Sequence, residues 1–239
     1  MRDGATPIRS IHSHNLLETD NIGRKQRGGT ATLLRGELAA RVIDSGRDET
    51  KLGRWSWYRI QGEPGWRTRI VTAYAPTGNK DSKFGSYYKQ ILRYIQRKGL
   101  RTNPKAMFRE DLCRELRHWR SLGDQVLLMM DANENVLDGA MVKKMALSNI
   151  GMRAAVHSQT MSHVPKTHIR GSQSIDDILF SPGLVVAGAS YLPFCEDLGD
   201  HRNPMADVTV DSLLGRNLPN IAPPKARKLN SKSPKSCNE

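Results

Sequence analysis

The chain has 239 residues, 38% apolar and 26% charged, and a formal net charge of +13. That composition supports one domain with a proper core and excludes a disordered polymer; the positive balance points to a polyanionic partner, most simply nucleic acid, because each Lys or Arg set against a phosphate releases counterions. Cys113, Cys195 and Cys237 form no CxxC pair, which excludes a structural zinc site or disulfide framework and leaves reduced, intracellular thiols as the expectation, in nucleus or cytoplasm alike.

Residues 1–27 are polar and weakly patterned, and are expected to be poorly ordered, with no apolar leader after Met1. The domain is predicted to span 28–211. Gly28-Gly29 precedes a β-branched and apolar run, Thr30 to Leu34, that reads as a strand. Further strands are predicted over Leu38 to Ile43, Trp55 to Ile60 and Arg67 to Tyr74. The apolar period then changes from two to 3.6: Tyr87, Ile91, Tyr94 and Ile95 share one helical face, and Phe108, Leu112, Leu116 and Trp119 share another. Pro104 marks the second helix's start and Gly123 its end. Gln125 to Met130 is the apolar run of a strand buried on both faces, and it is far too short to cross a bilayer, so no membrane partner is expected. Val142 to Ile150 reads as a short helix, and Ser174 to Phe180, Leu184 to Ser190 and Met205 to Val210 as strands. Residues 212–239 interleave prolines with Lys225, Arg227, Lys228, Lys232 and Lys235, the composition of a basic tail or linker.

Chemistry concentrates where apolar runs stop. Asp131 and Asn133 follow the buried run directly, at the strand edge where layered α/β folds place ligands. Two apart in extended chain, they point to one side, and a carboxylate beside an amide oxygen suits a hard cation; an Asx turn is the plainer alternative. Asp200-His201-Arg202 sets a carboxylate, a base and a forked donor side by side. Asp176 and Asp177 interrupt an apolar strand, so by alternation one faces a site and the other faces solvent or a sheet edge. Tyr74 ends its strand just before Pro76, where its hydroxyl can overhang a site, although core tyrosines are commoner. Residues 80–120 carry twelve Lys/Arg against four acidic side chains, a further nucleic-acid surface or simply two solvated helix faces.

The order and spacing of these features resemble the endonuclease/exonuclease/phosphatase family, and within it the endonuclease domains of non-LTR retroelements. The likeness runs from Gly28-Gly29-Thr30-Ala31 through Arg69 to Thr77 (RIVTAYAPT), Leu127 to Asn133, Pro165-Lys166-Thr167-His168, Ser174 to Phe180 and Gly199-Asp200-His201. Met130, Asp177 and Gly199 depart from the family's usual Gly, aromatic and Ser. The resemblance implies an α/β (α+β) fold, two packed, mainly antiparallel sheets flanked by helices in four layers. It implies a Mg²⁺- (or Mn²⁺-) dependent phosphodiesterase that nicks DNA. His201 would act at the scissile phosphate, oriented by Asp176. Asp131 would activate water and share the metal with Asp200. Asn133 and Tyr74 would hold phosphate, and Thr167 and Arg202 would contact the nucleic acid. The family's opening strands, one ending in Asn and one in L-Q-E with the main metal-ligand Glu, have no convincing counterpart. Leu16-Leu17-Glu18-Thr19 imitates the second, making Glu18 the stand-in ligand, but it lies too near Gly28. An N-terminally truncated domain is therefore expected, inactive if the loss is complete, and the tail resembles a linker to a reverse transcriptase. A catalytically dead nucleic-acid-binding remnant and a phosphatase on small phosphoesters are the alternatives.

Overall fold

The computed structural model describes residues 6–13, 27–83, 85–160, 164–194 and 199–221. Its frame is a six-stranded sheet with strand order β3-β4-β5-β6-β8-β7. The strands are β3 (Val42–Arg47), β4 (Trp55–Gln61), β5 (Arg67–Tyr74), β6 (Gln125–Asp131), β7 (Arg153–Ala154) and β8 (Asp176–Phe180). All neighbours are antiparallel except β5 and β6, which run parallel because two helices, α2 (Tyr87–Arg97) and α3 (Pro104–Ser121), carry the chain between them. Ser86 caps α2 through Lys89 N–H, and Asn103 caps α3 through Ala106 N–H with Pro104 as the first helical residue.

Period-two alternation assigns the two faces. Val71 and Ala73 of β5, Val126, Leu128 and Met130 of β6, and Leu179 of β8 pack against Phe108, Leu112, Leu116 and Trp119 of α3 and against Met141 and Met145 of α4 (Ala140–Leu147). Ile70, Leu127, Met129, Ile178 and Phe180 point the other way, onto two β-hairpins. One hairpin is β1 (Ile8–Ser13) with β2 (Thr30–Arg35); the other is β9 (Val186–Tyr191) with β10 (Pro204–Val208). The first lies over β3, β4 and β5, and the second over β8. Leu127 and Met129 of β6, between these footprints, are only partly buried. The second layer is therefore two separate two-stranded sheets, and with the helices the architecture is the mixed α/β sandwich expected from the sequence.

Three expectations need correction. Residues 1–27 include an ordered strand: β1 pairs with β2 from Ile8↔Arg35 to Ser13↔Thr30. Its pattern is weak because five of its six side chains are not buried, so little apolar content is needed. Leu38 to Ile43 is not one strand. Gly36–Ala40 forms a helical turn, α1, before β3 begins at Val42, because Glu37, Leu38, Ala39 and Ala40 are good helix formers. The domain also does not stop at 211: Leu213 and Leu214, in α6 (Val210–Leu214), are buried in the hairpin-side core. The rest of the basic tail from 222 onward, and Glu18, lie outside the described residues.

Candidate active site

Strand register builds the site. Tyr74, the last residue of β5, pairs with Asp131, the last of β6, and Asp131 pairs in turn with Asp176, the first of β8. By the alternation above, Tyr74 follows Ile70 and Thr72, Asp131 follows Leu127 and Met129, and Asp176 precedes Ile178 and Phe180. All three side chains stand level on the hairpin side of three adjacent strands. His201 closes the row: its Nδ1–H donates to Asp176 Oδ2 at 2.8 Å. One ligand atom each from Asp131, Asp176 and His201 fall within 4.8 Å of one another.

Each member is braced from behind. Ala75 N–H donates to Asp131 O, and Ala132 N–H to Ile175 O, tying the three strand ends. Tyr191 O–H donates to Asp176 O at 2.7 Å, and the hydroxyls of Tyr191 and Ser174 are 2.9 Å apart. Tyr74 lies flat on Tyr87, ring centroids 5.3 Å apart and 7° from parallel. Tyr87 is in turn pressed against Gly28, where a Cβ would sit 2.4 Å from its ring. With φ of +75° as well, Gly28 has a reason both in space and in backbone to be glycine.

Burial and like charge set the electrostatics. Burial, then the Asp176 charge, pushes the Asp131 carboxyl up to about 6, and Asn133 N–H and the nearby His201 only partly oppose this. His201 is raised: burial works against its charge, but the bond to Asp176 and the charges of Asp176, Asp131 and Asp200 outweigh it. Tyr74 is raised by burial and by Asp131. Asp200 is lowered by its own backbone N–H and by the two histidines. Among the described residues, Asp131 has no Lys or Arg ion-pair partner. Two crowded carboxylates without a Lys or Arg counter-charge, beside an imidazole nitrogen, suit a divalent cation.

Of the residues singled out by sequence, Tyr74, Asp131, Asp176 and His201 converge, and Asp200 adjoins them with its Oδ1 4.0 Å from His201 Nε2. The expectations for the other residues change or narrow. Asn133 does not continue the strand. It turns back at φ +48°, its N–H donates to Asp131 Oδ1 at 3.0 Å, and its Nδ2–H donates to Ala75 O at 2.8 Å. This is the plainer alternative, an Asx turn, and it keeps Asn133 beside Asp131 by turning rather than by alternation. Asp177 does not face solvent; it lies on the stretch of β8 that β7, paired only with Leu179 and Phe180, leaves as the sheet edge. It is 1% exposed on the helix side, and Oδ1 accepts Ile178 N–H at 2.6 Å and Val156 N–H at 3.5 Å. Thr167, expected at the nucleic acid, is instead wholly buried, and its Oγ1 accepts the N–H groups of Ile175 and Asp176 at 2.8 and 3.1 Å. Arg202 lays its guanidinium over Phe194 at 4.3 Å and takes no part in the row. Glu18 is outside the described residues.

His168 ends the Pro165-Lys166-Thr167-His168 segment of the resemblance, which gives it no role. Its Nε2–H donates to Asp200 Oδ2 at 3.2 Å, and its ring meets His201 edge-on at 4.9 Å. A residue that reaches the site only through a single long-range backbone bridge, His168↔His201, leaves no local signal.

No family model and no curated protein matches the chain. Solved structures do match. The 3′ phosphatase NExo from Neisseria, bound to product DNA hairpin, is 14% identical, with 84% of this chain and 79% of that chain covered and a TM-score of 0.58. An AP endonuclease from Archaeoglobus fulgidus is 15% identical, with 85% and 80% covered and a TM-score of 0.56. An endonuclease/exonuclease/phosphatase from Bacteroides vulgatus is 13% identical, with 84% and 76% covered and a TM-score of 0.50. At such identities the likeness is one of architecture, and the chain has the endonuclease/exonuclease/phosphatase fold.

Proposed function

We propose that the chain is a divalent-metal-dependent phosphodiesterase that nicks DNA. The observation that carries this reading is the level row Tyr74–Asp131–Asp176 on three strand ends, closed by His201 on Asp176. Asp131, pushed up to about 6, is a base suited to neutral pH and takes a proton from the attacking water. Asp176 holds His201 Nδ1–H, so His201 Nε2 faces the site and, when protonated, donates to the phosphate or its leaving oxygen. Tyr74 O–H and the second Nδ2–H of Asn133 are donors for phosphate oxygens. Asp131 and Asp200 would hold the cation, Mg²⁺ or Mn²⁺, which when bound neutralises developing charge on the phosphate. The net charge of +13 fits a polyanionic substrate, and the motifs from Gly28 to His201 favour a retroelement-type endonuclease over other nucleases.

A second reading, a nucleic-acid-binding remnant without catalysis, is favoured by one feature: Asp200, the carboxylate beside the row, has its side chain 63% exposed, so the metal would be held loosely. Supercoiled plasmid separates the readings. Nicking that requires Mg²⁺ and disappears in the Asp131→Ala, His201→Ala double variant supports the phosphodiesterase. Salt-sensitive binding with intact plasmid supports the remnant, and phosphate release from small esters alone supports a phosphatase.

A further inference from the structure

His168, Asp200 and His201 offer three ligand atoms within 4.8 Å of one another, which at first sight is a two-histidine, one-carboxylate metal set. Hydrogen bonding argues for a different arrangement. The turn from His168 to Gly171, closed by Gly171 N–H on His168 O at 3.0 Å, aims Arg170 N–H at His168 Nδ1, 3.2 Å away. A Cβ at position 171 would lie 3.3 Å from His168 Cβ, so glycine keeps this turn tight. Because Nδ1 accepts a hydrogen bond, the neutral ring carries its proton on Nε2. That nitrogen is then a donor and has no lone pair for a metal. His201 is the opposite case: Nδ1–H is committed to Asp176, so the neutral ring leaves Nε2 bare.

The backbone holds this pair together. Arg202 N–H donates to Thr167 O at 2.7 Å and Ile169 N–H to Asp200 O at 2.8 Å, which sets the two histidines opposite each other across the His168↔His201 bridge. Asp200, its side chain 63% exposed, lies between a donor and an acceptor.

We propose that His168 is a positioning residue for the metal site of the function proposed above: its Nε2–H fixes Oδ2 of Asp200 and leaves Oδ1 turned to His201 and the cation. The inference rests on that function, because Asp200 has a cation to hold only if it is correct. Holding one oxygen in advance removes the rotational freedom that a lone surface carboxylate loses on binding metal.

Two measurements on the full chain test it. Ring-nitrogen chemical shifts of His168, read without metal, report the tautomer, and a proton on Nε2 with Nδ1 bare is expected. Mn²⁺ affinity, read by electron paramagnetic resonance, should fall about tenfold in His168→Phe, which keeps a ring but no donor, and stay near that of the unsubstituted chain in His168→Gln, whose amide N–H can reach Asp200. A proton on Nδ1 overturns the proposal, as does equal affinity in His168→Phe and the unsubstituted chain, or a His168→Gln as weak as His168→Phe. If the unsubstituted chain binds no Mn²⁺ although the tautomer is as expected, the metal reading itself has failed and the proposal falls with it; a wrong tautomer with normal Mn²⁺ binding overturns the proposal alone.

Discussion

Asp131 is held against its own preference, and replacing it with asparagine should stabilise the protein. Its carboxyl, ordinarily at 3.8, is pushed up to about 6 by burial and by Asp176. Between those values the folded chain keeps a proton that the unfolded chain has released, so stability falls as pH rises. Below 3.8 both states are protonated and nothing is lost; above 6 the loss is complete. Roughly two pH units at 1.36 kcal/mol each make a cost of about 3 kcal/mol at pH 8. An asparagine side chain there would carry no charge, could still accept Asn133 N–H on its Oδ1, and could donate an amide N–H toward Asp176.

The assay is thermal unfolding of both proteins in EDTA at about pH 4 and pH 8. For a domain of this size about 3 kcal/mol corresponds to roughly 6–12 °C in Tm, so Asp131→Asn should melt that much higher at pH 8 and close to the unsubstituted chain at pH 4. Asp177, also pushed up to about 6 by burial, is common to both proteins and cancels. Adding Mg²⁺ should then raise the Tm of the unsubstituted chain and leave that of Asp131→Asn unchanged. An Asp131→Asn protein that melts lower than its parent at pH 8, or by the same margin at both pH values, would refute the reasoning.

The other expectations concern catalysis and the scaffold. The nicking rate should fall at high pH as His201 loses its proton; Asp176→Asn should move that alkaline limb to lower pH, because the charge that raises His201 is gone, and an unmoved limb in pH–rate profiles would dissociate His201 from it. Arg54→Met should cost about 3–5 kcal/mol in denaturant unfolding, since Arg54 bridges buried Asp48 and Asp111 at 2.7 Å each and its loss strands both carboxylates. Thr167→Val should cost about 1–3 kcal/mol by leaving the Ile175 and Asp176 N–H groups without their shared acceptor, yet keep the salt dependence of DNA binding, measured by fluorescence anisotropy at several ionic strengths.

Much of the frame is legible in the residues themselves. Val126 to Met130 is the strand expected, though only its helix face is fully covered while Leu127 and Met129 are partly buried on the other, and Phe108, Leu112, Leu116 and Trp119 could only face a core. β1 was not legible, since a strand lying over a larger sheet with most side chains uncovered needs no apolar alternation. Thr30 and Thr32 of β2 are buried through hydroxyl contacts to Ser56 and Thr72, at 2.8 to 3.2 Å, and hydrophobicity does not register such a seam. In the site, Tyr74, Asp131, Asp176 and His201 were readable because each breaks a local rule or stands in a motif that does: a polar group directly after or inside an apolar run, or a base set against a carboxylate. His168 does neither. It stands in a polar loop, and its place follows only from a backbone bridge to a residue far along the chain.

That contrast bears on how the site works. Alternation decides which side of a strand a residue faces, but it does not decide which residues on three different strands stand level. Levelness comes from the parallel β5–β6 register, imposed by the helical crossover, and from the antiparallel β6–β8 register. A slip of one residue in either pairing would turn Tyr74 or Asp176 to the helix face, into the apolar layer where Phe108, Leu112, Leu128 and Met130 lie. The same apolar residues that resist the slip therefore hold two carboxylates in a crowding that raises Asp131, and the helix-side core is what keeps the charged row together until a cation can relieve it.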